Sequence, residues 1–233
     1  MNEDAYQILE YIPIRLDKVE DEYIKHLWDA FVVLSLNHGS GKSFSIMPFH
    51  ILFMMVLQYK VLRIKQQREA QYIERIKKWQ DAEKWQTLLQ ASSVFELGLI
   101  AETSLSGILN IIGLSQDNII KITNLVKHRN NNIAHAKGGH LFDVDEKIYE
   151  YLTCLLEVQK CIEVLNNEVA KNWLKEIENE ENLDDFKERK LASSYICNED
   201  FRSGDMQLLA NNSATPFSEW GMINTNEVDG YLD

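Results

Sequence analysis

Apolar side chains recur at steps of three and four residues along much of this chain, and this spacing limits its possible folds more than any other feature. Stripes of this kind run through residues 92–112, 116–133 and 145–178. Since about 3.6 residues complete one α-helical turn, the spacing places the apolar side chains of each range on one face. The pattern predicts three amphipathic helices. The first stripe consists of Val94, Leu97, Ala101, Leu105, Ile108 and Ile112.

The N-terminal half has the same character. Apolar residues follow helical intervals through residues 5–36, where Pro13 is expected to separate two helices, and residues 48–89 predict one long helix or two stacked ones. Only ten Gly and three Pro interrupt the 233 residues, a composition that favours helices over a sheet with many turns. We therefore predict an all-α bundle of about five helices.

Helix ends are marked in the central region. Gly113 is expected to end the 92–112 helix, Ser115 to cap the next helix, and Asp117 to interact favourably with the dipole of its first turn. Gly138 and Gly139 are expected to end that second helix. The segment just before these glycines therefore lies at a predicted helix C-terminus.

The net charge of −12 is unevenly distributed. Residues 1–142 contain 16 Lys+Arg and 15 Asp+Glu, whereas residues 143–233 contain 8 and 21. Helical periodicity fades beyond Asn182. We predict a helical domain over residues 1–182, with its functional core at 90–178, and a loosely ordered acidic tail over 183–233 that docks onto the domain or regulates it.

A local basic stretch lies within the nearly neutral part. Residues 60–78 contain seven basic side chains, opposed only by Glu69 and Glu74. Two interpretations remain open: a solvated helix face, or a track that binds RNA phosphates. The seven residues are Lys60, Arg63, Lys65, Arg68, Arg75, Lys77 and Lys78.

One segment, residues 127–138, carries reactive side chains in a specific order. Arg129 is followed by Asn130, and five residues separate Arg129 from His135. Asn130 falls near the centre of an apolar stripe, where a buried amide costs free energy unless it is hydrogen bonded. An explanation based only on positive charge at a helix C-terminus accounts for Lys127, His128 and Arg129 but not for Asn130.

This arrangement resembles the signature of the HEPN superfamily of small all-helical proteins. The resemblance covers residues 90–175 best and implies a HEPN-like bundle that acts as a metal-independent endoribonuclease on single-stranded RNA, as a toxin or antiviral-defence effector. It also implies a homodimer, and an antitoxin or a defence-complex protein as a further partner. One departure is Lys137, which stands where some HEPN toxins have a modifiable Tyr, and puts that form of control in doubt.

Metal-free RNA cleavage explains these residue types. The 2′-hydroxyl must lose a proton, the departing 5′-oxygen must gain one, and the phosphorane charge must be stabilised. We assign proton transfer to His135, phosphate binding to Arg129 and their orientation to Asn130. The candidates for support are His128, Lys137, Glu96 and Glu102, the two carboxylates by orienting His135 or pairing with Arg129. The other interpretation stays open, in which Glu96 and Glu102 are ordinary surface carboxylates and His128 is a solvated side chain.

Helix geometry adds a constraint. Six residues of an ideal helix turn through about 600°, so Arg129 and His135 would lie roughly 120° apart. Either the helix distorts before Gly138, or a second subunit completes the site. The alternative function is a non-catalytic HEPN-like helical binding module, or a subunit of a larger defence complex.

Other chemistries lack support in the sequence. Cys154, Cys161 and Cys197 match no zinc signature, and His135 and His140 have no third ligand at helical spacing, so we predict neither a metal nor a cofactor. Residues 39–43 lack the first Gly of a phosphate-binding loop. The N-terminus is acidic and no apolar run approaches roughly 20 residues, so we expect a cytoplasmic protein without membrane contact.

Overall fold

Helices account for nearly all of the structure. The computed structural model describes residues 3–13, 18–37, 40–79, 82–134 and 142–179. Of these residues 86% are helical and none lies in a β-strand. The all-α prediction is therefore confirmed for the described part of the chain.

The helices are more numerous than predicted, although the last one agrees with the predicted range of 145–178. The α-helices are α1 (Gln7–Glu10), α2 (Lys18–Ser35), α3 (Ser40–Ser43), α4 (Ile46–Gln67), α5 (Glu69–Trp79), α6 (Ala82–Gln90), α7 (Glu102–Ile108), α8 (Gln116–His128) and α9 (Val144–Asn179). Short 3₁₀ turns span Glu3–Tyr6, Glu96–Leu99 and Leu109–Ile112, and a π-helical turn spans Arg129–Ala134. The count of about five helices is not confirmed.

The predicted helix over residues 92–112 is divided, which corrects that prediction. The side chain of Glu96 accepts hydrogen bonds from the backbone N–H groups of Ser92 and Ser93, at 2.6 and 3.1 Å, and so closes a separate turn. Ile100 and Ala101 then adopt extended backbone, with ψ of 127° and 132°. As a result α7 begins only at Glu102, which is its first residue.

The start of α8 agrees with the sequence. Gly113 has a φ of 85°, the left-handed conformation that glycine adopts without steric cost, and it follows the turn Leu109–Ile112. Ser115 caps α8, since its side chain accepts a hydrogen bond from the N–H of Asn118 at 3.3 Å. The predicted ends at Gly138 and Gly139 lie outside the described residues.

Helix α4 is the central helix of the core. It packs against α2, α5 and α7, and Phe49, Leu52 and Phe53 are fully buried. By length and composition alone α4 could cross a membrane, but 83% of its most apolar window is buried inside the protein, and a core helix passes the same test. Pro48 lies in its first turn, where the missing N–H is tolerated.

The chain divides into two compact units. The first comprises residues 1–12 and 17–161, and contains α1 to α8 and the first half of α9. The second comprises residues 13–16 and 162–233, of which the structure describes Pro13 and the helix up to Asn179. The predicted boundary near residue 182 and the predicted tail lie outside the described residues.

A buried carboxylate links three segments of the first unit. Glu20 on α2 is 7% exposed and accepts hydrogen bonds from the hydroxyls of Tyr59, at 2.9 Å, and Ser93, at 2.8 Å. A buried charge requires such partners, because its loss of hydration is otherwise uncompensated. These bonds connect α2 to α4 and to the segment before the turn at Glu96.

We expect Tyr59→Phe to lower the free energy of unfolding by about 1.5–3 kcal/mol, the usual contribution of a hydrogen bond to a charged group. Urea unfolding measures this difference. Tyr23→Phe is the control, since Tyr23 is 39% exposed, and its change is expected to stay within about 0.5 kcal/mol. Equal effects of the two variants would contradict the structural role of the Glu20 carboxylate.

Candidate functional site

Four polar side chains from four helical elements meet inside the first unit. They are His50 on α4, Glu102 at the start of α7, Arg129 at the end of α8 and Tyr151 on α9. We call them the polar cluster. Its members form consecutive contacts, Tyr151 to His50, His50 to Glu102, and Glu102 to Arg129, which join residues 101, 52 and 27 positions apart along the chain.

Arg129 and Glu102 form an ion pair. Nη2 of Arg129 donates a hydrogen bond to Oε2 of Glu102. The side chains are 17% and 38% exposed, so the pair lies at the edge of the core and is partly shielded from solvent. One of the two carboxylates predicted to support the site therefore does pair with Arg129.

His50 connects this ion pair to the core. Its side chain is 2% exposed, and its Nε2 lies 3.5 Å from Oε2 of Glu102, beyond the usual N–H···O distance, and forms no hydrogen bond with any residue that the structure describes. Its Nδ1 lies 2.9 Å from the hydroxyl oxygen of Tyr151. A lone pair on Nε2 would face a carboxylate unfavourably, so the favoured tautomer carries its proton on Nε2 and accepts the Tyr151 proton at Nδ1.

The protonation states follow from burial. Burial lowers the pKa of His50, with Arg129 adding to the effect and Glu102 opposing it, so the ring is neutral at neutral pH. Burial raises the pKa of Tyr151, which keeps its phenolic proton. The contact with His50 is the largest influence that lowers the pKa of Glu102, against the effect of burial, and Arg129 adds to it.

The backbone departs from α-helical geometry directly at the motif. Arg129–Ala134 winds as a π-helical turn that continues from α8. Such turns are rare in proteins and occur frequently at functional sites. A helix distortion before Gly138 was one of the two explanations for the angular separation of Arg129 and His135.

The remaining residues of the motif are described only in part. Asn130 lies in the π-helical turn with a half-buried side chain. His135 and Lys137 lie outside the described residues. The roles predicted for all three stay predictions.

His128 faces a separate cleft. This cleft between α8 and α9 has a volume of about 500 Å³, and its lining includes Lys121, Lys147 and Cys154. The His128 ring is half-buried and packs edge-on against Phe142, with ring centroids 5.0 Å apart. Burial, followed by Lys147, lowers the pKa of His128.

Glu96, the second predicted supporting carboxylate, caps its own turn. Its hydrogen bonds to the N–H groups of Ser92 and Ser93 are the largest influences lowering its pKa. It is not part of the polar cluster. The structure thus separates two carboxylates that the sequence could not distinguish.

The basic stretch does not form one exposed track. Lys60 and Arg63 are each 1% exposed in α4, which corrects the RNA-track prediction at these two positions, since a buried cation does not reach a phosphate. Lys65 donates to the backbone oxygen of Ala91 at 2.5 Å. The α-helix ends at Gln67, so the stretch is also divided between two helices.

The other basic residues of the stretch differ in exposure. Arg68 and Arg75 are half-buried, and Arg75 donates to Oδ1 of Asn110 at 3.4 Å. Lys77 and Lys78 are exposed in the last turn of α5; Lys78 pairs with Glu74, and Lys77 lies 4.9 Å above the Trp85 ring.

Within the described ranges, no three His, Cys, Asp or Glu side chains lie close enough to hold a metal ion. Cys154 and Cys161 are free thiols there, and burial raises the pKa of Cys154 to about 11. Cys197 lies outside the described residues.

Comparisons of this chain with protein-family models, with curated proteins and with solved structures find no match.

Sequence reasoning missed His50 and Tyr151. A signal for His50 was available, because it is a single ionisable residue inside the apolar run from Phe49 to Leu57. A polar residue in such a run must find buried partners. Tyr151 offered no comparable signal, since tyrosine is common on the inner face of an amphipathic helix.

We expect the stability of the protein to fall as the pH drops below about 6.5, the ordinary pKa of histidine. The folded state lowers the pKa of His50, so the unfolded chain binds the proton more readily and acid favours unfolding. His50→Gln should reduce this slope of unfolding free energy between pH 6.5 and about 5.5, above the range in which Glu102 titrates in either the folded or the unfolded chain.

Chemical unfolding at several pH values checks this expectation. Part of the slope should remain in His50→Gln, because the pKa of His128 is also lowered. His26→Gln is the matched control, since His26 is exposed on α2, and it should retain the full slope. An unchanged slope in His50→Gln would show that His50 is not held neutral by its surroundings.

Proposed function

We propose that this protein is a metal-independent endoribonuclease that cleaves single-stranded RNA by general acid–base chemistry, with a HEPN-like helical fold. The observation that carries the proposal is the fixed position of Arg129. Its guanidinium is bound by Glu102 at the point where α8 changes into a π-helical turn. An arginine held at such a distortion, six residues before a histidine, fits a phosphate-binding role.

The position of Arg129 suits a side chain that binds phosphate with a permanent positive charge. A guanidinium has five N–H donors, and binding Glu102 through Nη2 leaves others for phosphate oxygens. Lys77 and Lys78 remain available from the basic stretch as more distant RNA contacts.

The proposed division of work follows from the chemistry of cleavage. Arg129 stabilises the negative phosphorane, His135 transfers a proton, and Asn130 orients one or both. The products are a 2′,3′-cyclic phosphate and a 5′-hydroxyl. No metal or cofactor is required by this scheme.

The partners belong to the same proposal. We infer that two copies pair and together line the RNA cleft, and that an antitoxin or a defence-complex protein controls the enzyme in the cytoplasm as a toxin or antiviral effector. The acidic residues 183–233 are a second means of control, by occupying basic surfaces of the domain.

One observation favours the alternative, a non-catalytic HEPN-like binding module. Arg129 is only 17% exposed and already has a carboxylate partner. An arginine whose main role is to hold α7 against α8 would look the same. The two functions differ in whether RNA is cut, which makes cleavage the deciding measurement.

We expect the native protein to cleave a labelled single-stranded RNA in excess EDTA, and Arg129→Ala and His135→Ala each to lower the rate by about 100-fold or more. Lys25→Ala and His26→Ala are the matched controls, since both residues are exposed on α2, and they should cut at the native rate. Sedimentation should show a dimer for native and variant proteins.

An intact RNA after incubation with the native dimer would favour the binding module. Cleavage that survives both Arg129→Ala and His135→Ala would remove these residues from the chemistry.

A further inference from the structure

The two oxygens of the Glu102 carboxylate have different surroundings. Oε2 accepts from Nη2 of Arg129 and lies 3.5 Å from Nε2 of His50. Oε1 has no hydrogen bond from any residue that the structure describes. One oxygen is thus bound by Arg129 and contacted by His50, while the other has capacity to accept a proton.

The members of the polar cluster differ in exposure, and Glu102 is the most exposed. The side chain of His50 is 2% exposed, that of Arg129 is 17% exposed, and that of Glu102 is 38% exposed. His50 therefore cannot reach a bound RNA, although it is a histidine. Glu102 is the proton acceptor of the cluster that a substrate can approach.

Cleavage chemistry requires a base beside the phosphate-binding group. The 2′-oxygen attacks the adjacent phosphorus, and reacting atoms start about 3–3.5 Å apart. A group that removes the 2′-proton must therefore lie next to the residue that binds the same phosphate. Glu102 is in direct contact with Arg129, so a phosphate on this arginine brings the 2′-hydroxyl close to the carboxylate.

We propose that Glu102 is the general base of the reaction and that His135 is the general acid. This inference rests on the ribonuclease function proposed above and adds a catalytic residue to it. Glu102 takes the 2′-hydroxyl proton as the 2′-oxygen forms its bond to phosphorus. The bond from phosphorus to the 5′-oxygen breaks, and His135 protonates that oxygen.

His50 and Tyr151 are positioning residues in this scheme. The Tyr151 hydroxyl donates to Nδ1 of His50, and the Nε2 edge of the ring lies 3.5 Å from Oε2 of Glu102 without a hydrogen bond. The ring limits the movement of the carboxylate on the Oε2 side and leaves Oε1 for the substrate. The charged groups near His50 are Glu102 on α7 and Arg129 at the end of α8, with the Tyr151 phenol on α9.

The pH dependence of kcat/KM for the native protein is the first test. With a carboxylate base whose pKa is lowered from 4.5 and a histidine acid, cleavage should be fast near pH 5 and should slow as the pH rises through about 6.5. With His135 as the base, the rate would instead rise through that pH. The measurement needs no variant and so does not depend on any variant's folding.

The second test uses the isosteric change Glu102→Gln, which keeps an oxygen for Arg129 but abolishes the base. We expect kcat/KM to fall by about 100-fold or more, with RNA affinity in fluorescence anisotropy kept or increased because a neighbouring negative charge is gone. Glu157→Gln is the matched control, an α9 glutamate paired with Lys160, and should cut at the native rate.

A substrate with sulfur in place of the bridging 5′-oxygen separates acid from base. The thiolate leaves without protonation, so this substrate should restore cleavage by His135→Ala but not by Glu102→Gln. Tyr151→Phe should lower kcat with KM unchanged, because it removes the hydroxyl that orients His50 beside the base; urea unfolding checks that the variant is still folded under the assay conditions.

The outcomes separate the two proposals. If the native protein cuts RNA but Glu102→Gln retains its rate, or the sulfur substrate rescues Glu102→Gln, then Glu102 is not the base and the ribonuclease function stands. If the native protein cuts no RNA at any pH, the ribonuclease function is wrong, and the role of Glu102 is wrong with it.

Discussion

The burial of one imidazole determines how four helical elements meet. His50 lies in the most apolar helix of the protein, where an unsatisfied ring nitrogen would cost free energy of about 1–3 kcal/mol. Its Nδ1 is paired with a phenol from α9, whereas its Nε2 forms no hydrogen bond with any described residue and lies 3.5 Å from a carboxylate of α7, which in turn binds the guanidinium at the end of α8. Displacing the phenol would leave both ring nitrogens uncompensated, so the cluster constrains how α4, α7, α8 and α9 meet around it.

Periodicity predicted the fold class and the inner faces of the helices, because burial of an apolar stripe depends on spacing alone. It could not predict where helices break. The stripe at 92–112 continues through a 3₁₀ turn and an extended pair, since apolar side chains face the core in both. The break depends on Glu96, whose side chain competes with the next helical turn for backbone N–H groups. This break matters for the candidate site, because it makes Glu102 the first residue of α7.

Only part of the predicted site could be tested or found in the structure, because the sequence pattern does not specify tertiary contacts. A pairing of Arg129 with Glu96 or Glu102 was among the hypotheses, but only the tertiary structure distinguishes these two carboxylates. The charge of the stretch at 60–78 suggested a surface track, whereas Lys60 and Arg63 are buried on α4. A count of charges along the chain carries no information about the exposure of each side chain. A helix that is mostly buried buries its basic side chains together with its apolar ones.

The ion pair of Arg129 with Glu102 is compatible with a catalytic role and with a purely structural one. The exposure and the contacts of the carboxylate distinguish the two roles. An ion pair that only joins two helices is most stable when both oxygens of the carboxylate are hydrogen bonded, because the loss of hydration otherwise offsets the attraction between the charges. Here the carboxylate is the most exposed member of its cluster, and both protein contacts fall on one of its oxygens. His50, which is too deeply buried to meet a substrate, contacts this carboxylate from the core. This ion pair is weaker than one in which both carboxylate oxygens are hydrogen bonded. It gives a reacting carboxylate a fixed orientation and one oxygen that is open to the substrate, as proton transfer requires.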